Sequence, residues 1–422
     1  MPKPTDSPAL PVSERWWLRL SVLTMAHVVG TLGMMSILAL APFIQAELKF
    51  SATQFGVLIA SYAASQAVIS PLAGHVGDRV GVGRTLALSM IAIAAGILGF
   101  SRSSEFATAI LSMAALGIGY AFINPATARG VMDWAPPARR ATGMGIKQTG
   151  VPVGGILAAG TALLGAALGW RLALACLAAF SLLATLPCFF IAGAPRLRAA
   201  TATTFLSAWP MLLANRNLGA ISVATAGFNI CQASSFGFLT LFMKDGIGVT
   251  HTLAGLSLGL AQAAAVGGRI AWGIVADRAF SGRCKSLYAY LGASASLLFA
   301  ILACAQPGWT ALAIVGAVLL GLTIGSYAAI VQTMVVEAVA PDQAGTASGY
   351  YLFVISLGNM LGPLLFGVLV DLAGYNFGWA FLAIMGSLAT AVLIVGFSDQ
   401  RQWPVQQAST VSWAINAEGR HQ

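Results

Sequence analysis

Two cations lie where the sequence offers them no fixed counter-ion. Arg269 sits in the apolar stretch 255–278, ahead of Asp277, and Lys147 sits in another apolar stretch, 138–166. A guanidinium within hydrocarbon costs at least a few kcal/mol, so such a residue faces a cavity or a partner. These residue types together support anion binding. A guanidinium grips a carboxylate through two parallel N–H bonds, and an ammonium adds a point charge. At ~1.5 Å per residue, Lys147 lies roughly 15 Å along its helix from Pro137, and Arg269 about 12 Å before Asp277. Both depths fall near the middle of a hydrocarbon core ~30 Å thick. The alternative for Arg269 is a structural pair with a loop acid or backbone carbonyls. For Lys147 it is snorkelling to the aqueous face, or pairing with Asp133.

The acids point the same way. The 13 Asp and Glu all fall in tails, loops or helix ends, and none sits mid-span. A carrier of cations or a proton antiporter would keep a carboxylate there as counter-ion and proton carrier. Its absence favours an anionic substrate and leaves His27, whose imidazole titrates in the useful range, as the candidate proton carrier. The alternative for His27 is a hydrogen-bonded packing residue. Tyr120, Asn124, Asn229, Gln232, Tyr327 and Tyr351 are polar groups at cavity depth. Each either contacts substrate or hydrogen-bonds between helices. Asn229 and Gln232 share a helical face with Ser222 and Thr225, which favours the cavity for that face.

The elements that must position these residues are helices. The chain has 422 residues, 58% hydrophobic and 8% charged, with a mean hydropathy of +0.83. A soluble globular protein carries about 25% charged residues. Twelve apolar segments are expected as helices, at 17–44, 51–73, 85–101, 106–132, 138–166, 169–192, 218–243, 255–278, 286–304, 310–336, 344–369 and 377–397. Each is close to the ~20 residues that cross a bilayer. The domains expected are a tail (1–16), a six-helix bundle (17–193), a polar linker (194–217), a second six-helix bundle (218–397) and a second tail (398–422). Most of the 22 Lys and Arg fall in segments on one side, with Lys49, Arg102, Arg171 and Lys244 on the other. This positive-inside bias puts both termini in the cytoplasm. The net charge of +9 is therefore a topology signal, with no nucleic-acid partner implied. The five cysteines form no CxxC or Cys/His cluster, so neither a metal site nor a disulfide framework is expected. No nucleophile elbow or phosphate-binding loop stands out, so no enzymatic activity and no cofactor are expected.

The chain repeats. Gly74, Asp78, Arg79, Gly83 and Arg84 recur at the same spacing as Gly273, Asp277, Arg278, Gly282 and Arg283. Gly117, Asp133, Pro137, Gly145 and Gly154 recur as Gly321, Glu337, Pro341, Gly349 and Gly358. Two parallel halves related in this way are a construction of transporters that rock about a central site. Asp78, Arg79, Arg84, Asp277 and Arg278 are expected to brace the cytoplasmic ends as gates. Asp133 and Glu337, at equivalent positions, are gate charges or solvated loop charges.

The loop Gly74-x-x-x-Asp78-Arg79-x-Gly81-x-Gly83-Arg84 and its copy resemble the signature of the major facilitator superfamily. That resemblance covers roughly residues 15–397 and implies an all-α integral membrane fold of about twelve helices in two pseudo-symmetric bundles. Gly150-Val-Pro152-Val-Gly154-Gly155 is similar to that family's fifth-helix motif, with Pro152 displaced. The spacing of Arg269 and Asp277 resembles the substrate arginine of monocarboxylate transporters and oxalate:formate exchangers. The exchangers add a lysine in the eleventh helix, where this chain has Tyr350 and Tyr351. The expectation is a monomeric secondary transporter of a small mono- or dicarboxylate in a bacterial inner membrane, by proton symport or anion exchange. Efflux of amphipathic drugs or metabolites is the first alternative, and a non-transporting membrane sensor the second.

Overall fold

A computed structural model describes residues 16–136, 139–191, 215–278, 284–327, 330–331, 334–335, 338–339 and 344–398. Among them, the side chains of 71, 74–78, 141, 273, 276–278 and 344–350 are not described. The expected gate residues Asp78, Asp277, Arg278 and Glu337 therefore lie outside the described side chains, as do Tyr350, most of both tails and most of the linker.

Every regular element described is helical. In chain order they are α1 (Trp16–Ala39), α2 (Ala41–Leu48), α3 (Ala52–Val80), α4 (Val82–Ser101), α5 (Phe106–Ala121), α6 (Ile123–Trp134), α7 (Arg140–Leu168), α8 (Trp170–Leu183) and α9 (Thr185–Phe190). There follow α10 (Arg216–Leu241), continued by a π turn over Phe242–Ile247, then α11 (His251–Arg278), α12 (Cys284–Ala303), α13 (Thr310–Leu322), α14 (Ala344–Ala373) and α15 (Tyr375–Gly396).

Five expected boundaries are corrected, two of them because the helix expected over 17–44 ends at Ala39 and the one expected over 310–336 ends at Leu322. The helix expected over 106–132 breaks between α5 and α6 at Phe122. Pro125 is the cause, because it has no N–H for the Ala121 carbonyl and its ring crowds that carbonyl. Pro187 acts in the same way on the helix expected over 169–192, which breaks between α8 and α9. The loop expected from 74 is helical as far as Val80. Gly81, at φ +91°, is the turn into α4, a backbone conformation that glycine adopts without strain.

Ten helical segments among the described residues are long and apolar enough to cross a membrane, counting α5 with α6 and α8 with α9. Apolar side chains cover much of the exterior. Leu111 is 70% exposed, Leu297 65% and Phe190 88%. In water these would be a liability, but in lipid they face a matching solvent.

The helices pack in two groups. In the first, α1 lies along α7, and α4 packs on α5 and α8. In the second, α10 lies along α14, α12 along α15, and α11 along α13. The groups are bridged mainly by two pairs, α3 with α14 and α7 with α11, with smaller contacts of α1 and α2 on α10 and α11. Bridging contacts gather at one end. There Thr240 Oγ1 donates to the Leu38 carbonyl at 2.7 Å, and Gly255 lies against Ala162 and the Ala39 carbonyl. At the opposite end two cations of the first group lie over indole rings. The Arg19 guanidinium lies 5.0 Å over Trp134, and that of Arg139 lies 5.8 Å over Trp17.

Candidate functional site

The bridging pairs enclose a cavity of about 220 Å³ between the groups. Thr31, Met34 and Met35 reach it from α1, Ile59, Tyr62 and Gln66 from α3, and Val151 from α7. The second group supplies Gln232 and Phe236 from α10, Gln262 and Arg269 from α11, Gly325, and Asn359 from α14. The wall is apolar with convergent amides and one guanidinium.

Arg269 is on that wall, and one of its contacts is a backbone carbonyl, the alternative the sequence left open. Its Nε donates to the Gly325 carbonyl at a long 3.4 Å, and the phenols of Tyr327 and Tyr120 lie within electrostatic reach. Among the described residues no carboxylate pairs with it; the ion pairs described are Arg129–Asp133 and Arg171–Glu47. Glycine supplies the room on α11. Gly268 packs against Ser326, and Trp272 Nε1 donates to the Leu322 carbonyl at 2.7 Å, which together pin α11 to the end of α13.

Lys147 is placed differently. It is 2% exposed, so it does not snorkel. Asp133 is bonded by Arg129 at 3.4 Å, in place of the expected lysine alternative. The Lys147 ammonium instead donates to Asn124 Oδ1 at 2.7 Å, with Thr127 Oγ1 at 3.4 Å. The break at Pro125 delivers both partners by opening α6 just there. His27, 1% exposed on α1, bonds the same Thr127 hydroxyl through Nε2 at 2.9 Å. Lys147, Asn124 and His27 thus form a second cluster beside the cavity, joined to its wall through Val151, one turn along α7.

The remaining expected site residues divide. Gln232 lines the cavity, and its amide donates to the Ile324 carbonyl at 2.8 Å. Asn229 is 5% exposed and donates to the Thr225 carbonyl at 2.9 Å, a bond within its own helix. Tyr351 is 4% exposed in the interior of the second group. Tyr120 has its ring 6.0 Å from that of Tyr62. Arg79 and Arg84 are exposed. Sequence reasoning did not single out Gln66, Gln262 and Asn359 as site residues. An amide inside a span is the signal they carry, since a bilayer tolerates one only where it has a polar partner.

Among the described residues no group of three His, Cys, Asp or Glu could hold a metal.

Several comparisons bear on this arrangement. A family model described as Major Facilitator Superfamily matches residues 23–303 and 280–415. The hexuronate transporter of Bacillus subtilis (strain 168) is 25% identical over 396 residues, covering 88% of this chain and 92% of that protein. The probable sulfoacetate transporter SauU of Cupriavidus necator is 24% identical over 426 residues, covering 94% and 97% respectively. The quinolone resistance protein NorA of Staphylococcus aureus (strain MRSA252) is 24% identical over 371 residues, covering 86% and 92%. In fold, the chain is similar to a bacterial homolog of the human lysosomal transporter Spinster, with a TM-score of 0.75 at 18% identity over 93% of this chain and 100% of that one. With the match running from residue 23 to residue 415 of a multi-pass helical membrane protein, the chain belongs to the major facilitator superfamily and is a transporter, with no enzymatic role.

Proposed function

We propose that the chain is a secondary active transporter of a small organic anion, moved across a bacterial inner membrane by alternating access about the central cavity. The observation that carries this reading is Arg269, on the cavity wall with no carboxylate partner among the described residues. A buried guanidinium needs an anion, and a substrate carboxylate or sulfonate meets that need with two charge-assisted bonds. Gln66, Gln232, Gln262 and Asn359 around it suit hydroxyl groups, which favours a hydroxylated carboxylate. The similarity to proteins named hexuronate and sulfoacetate transporters supports the same class.

Two six-helix bundles, about twelve spans and cytoplasmic termini belong to the same proposal. The alternation of spans and the positive-inside bias support it. That topology puts Asp371 on the outer side and Asp133 on the inner side. Asp78, Arg79, Arg84, Asp277, Arg278 and Glu337 stay proposed gates of the inner side. The chain works as a monomer in this reading.

A second reading, efflux of amphipathic compounds, draws on the apolar wall of Met34, Met35, Leu38, Ile59 and Phe236 and on the likeness to NorA. Uptake into proteoliposomes separates the two. Labelled lactate, pyruvate, oxalate, succinate, galacturonate and sulfoacetate are offered to wild type and to Arg269→Ala. We expect uptake of at least one anion, and a loss of roughly 30-fold or more in the variant, the scale of removing one member of a buried charge pair. Undiminished uptake by Arg269→Ala overturns the anion site. Drug export with no organic-acid uptake favours the second reading.

A further inference from the structure

The cluster beside the cavity contains a cation with no counter-ion, and a ring nitrogen with no hydrogen-bond partner, among the described residues. Thr127 Oγ1 has one proton, with the Ile123 carbonyl at 2.7 Å to accept it. With that proton on a backbone carbonyl of Ile123 or Asn124, the hydroxyl oxygen is free to accept from both other neighbours, His27 Nε2 at 2.9 Å and Lys147 Nζ at 3.4 Å. That arrangement corresponds to the Nε2–H tautomer of His27, whereas in the other tautomer Thr127 donates to Nε2. The His27 Nδ1 is buried and has no hydrogen-bond partner among the described residues. Lys147 meanwhile rests on two neutral oxygens, and buried charge held only by neutral groups is costly.

Giving up a proton relieves that cost, and the two oxygens remain to welcome it back. We propose that Lys147, acting with His27, is the proton-binding site that couples proton movement to transport of the anion. This rests on the anion reading and names its coupling site. Loading is addition of one proton from solvent to the neutral Lys147 Nζ lone pair. Release is the reverse, and no bond other than that N–H forms or breaks. The two groups are like charges when both are protonated, so the cluster holds one added proton at a time.

The groups facing Lys147 are few. From α1 comes His27, and from α6 Asn124 and Thr127, with the Arg129–Asp133 pair further along that helix. From α8 the charged group is Arg171, bound to Glu47 at the far end. From α11 Gln262 meets α7 at Gly155, and Arg269 faces Gly325. Coupling to the cavity runs through α1 and α7. They are packed backbone to backbone where Gly150 and Gly154 meet the Thr24 and Val28 carbonyls. The same two helices send Thr31 and Val151 to the cavity wall, each one turn from the cluster. A proton on Lys147 adds positive charge one helical turn from the cavity wall at Val151, which favours the anion there, so proton and anion bind together and travel as symport.

Two measurements test this. In the first, Lys3, Lys49, Lys244 and Lys285 are replaced by Arg, leaving Lys147 as the sole lysine. Its 15Nζ resonance is then followed by NMR in nanodiscs without substrate. We expect the signal to shift between about pH 6 and 8; a flat signal over that range overturns the proposal. In the second, anion affinity is measured at both pH values. Wild type should change by about fivefold or more, while Lys147→Gln, fixed neutral, and Lys147→Arg, fixed charged, should change by less than about twofold. Variants that keep the wild-type pH response overturn it. If no offered anion binds wild type, the anion reading fails, and the lysine titration still decides the proton site.

Discussion

Asp371, at the end of α14, holds Thr53, at the start of α3, with its Oδ2 accepting from the Thr53 backbone N–H at 2.7 Å. Its Oδ1 accepts from the Ala52 N–H at 2.9 Å. One carboxylate thus satisfies two free amides at a helix N-terminus, where the helix dipole also favours negative charge. The bond crosses between the two groups, beside the place where Gly56 lies against the Pro363 carbonyl. In the proposed alternating access it is a tie that has to break.

Removing that tie should move the conformational equilibrium. Bonds of this kind to a charged acceptor contribute about 1.5–3 kcal/mol. Asp371→Asn keeps the shape and weakens the tie, so the two groups should part at this end in a larger share of molecules, by roughly tenfold in the equilibrium. Spin labels at exposed Ser104 and Gln306 would report it by electron resonance as a longer-distance population in the variant. An unchanged distance distribution would show that the contact does not latch the groups.

The amides of the cavity should act on affinity for hydroxylated substrates. Gln262 lines the wall, and its Nε2 meets Met35 Sδ at 3.4 Å, a weak acceptor that a substrate hydroxyl would readily replace. Gln262→Leu should raise KM for a transported hydroxy acid by about 5- to 30-fold, the scale of one or two hydrogen bonds. Its effect on a transported anion without hydroxyls should be under about threefold. Competition uptake with paired anions checks this, and equal losses for both would remove Gln262 from specificity.

Glu47 ties together the end of the first group that carries α2. It accepts from Trp170 Nε1 at 2.7 Å and from Arg171 Nε at 2.9 Å, while Arg171 Nη1 bonds the carbonyls of Ser101 and Ser103. Burial pushes the Glu47 carboxyl up, but the bonds from Trp170 and Arg171 and the charge of Arg171 outweigh it and hold it below its ordinary value. A carboxyl lowered by folding stabilises the fold above its unfolded value, and that contribution is lost as pH falls through the folded one. Glu47→Gln should therefore lower Tm at pH 7, by a small amount because the pair is half exposed. The gap between variant and wild type should close below about pH 4. Thermal unfolding from pH 7 to 3 measures it, and a gap that is constant with pH would contradict the assignment.

Close approach of α1 and α7 should be intolerant of bulk. A side chain at Gly154 would meet the Val28 carbonyl, and backbone yields less readily than a side chain. Gly154→Val should destabilise by about 1–3 kcal/mol, as overpacking does. Gly145, with nothing within reach of an added Cβ, provides the control, and Gly145→Ala should be neutral. Paired melting curves in detergent separate the two positions, and equal losses would refute the packing argument.

Much of the fold could be read in advance, and the misreadings have physical causes. Hydropathy alone marks the helices, because a bilayer admits little else. The break at Phe122 follows from Pro125, a residue inside the apolar stretch 106–132 whose effect on a helix is local. The turn at Gly81 was expected to be longer, because a run of glycines and charges resembles a loop even where its backbone stays helical. In the site, Arg269 was legible from being a lone cation in an apolar stretch. Gln66, Gln262 and Asn359 were not, because each is a single amide on a different helix and no local pattern joins them.

By itself the sequence determined that this is a helical membrane protein with two cations inside apolar helices, and their expected depth follows from counting residues along a helix. Only the tertiary structure decided what each cation meets. Lys147 and Arg269 look alike along the chain, yet one is held by Asn124 and Thr127 and the other stands on the cavity wall. The reason is that residue count fixes height along a helix, whereas the direction a side chain faces acquires a partner only when distant helices pack around it.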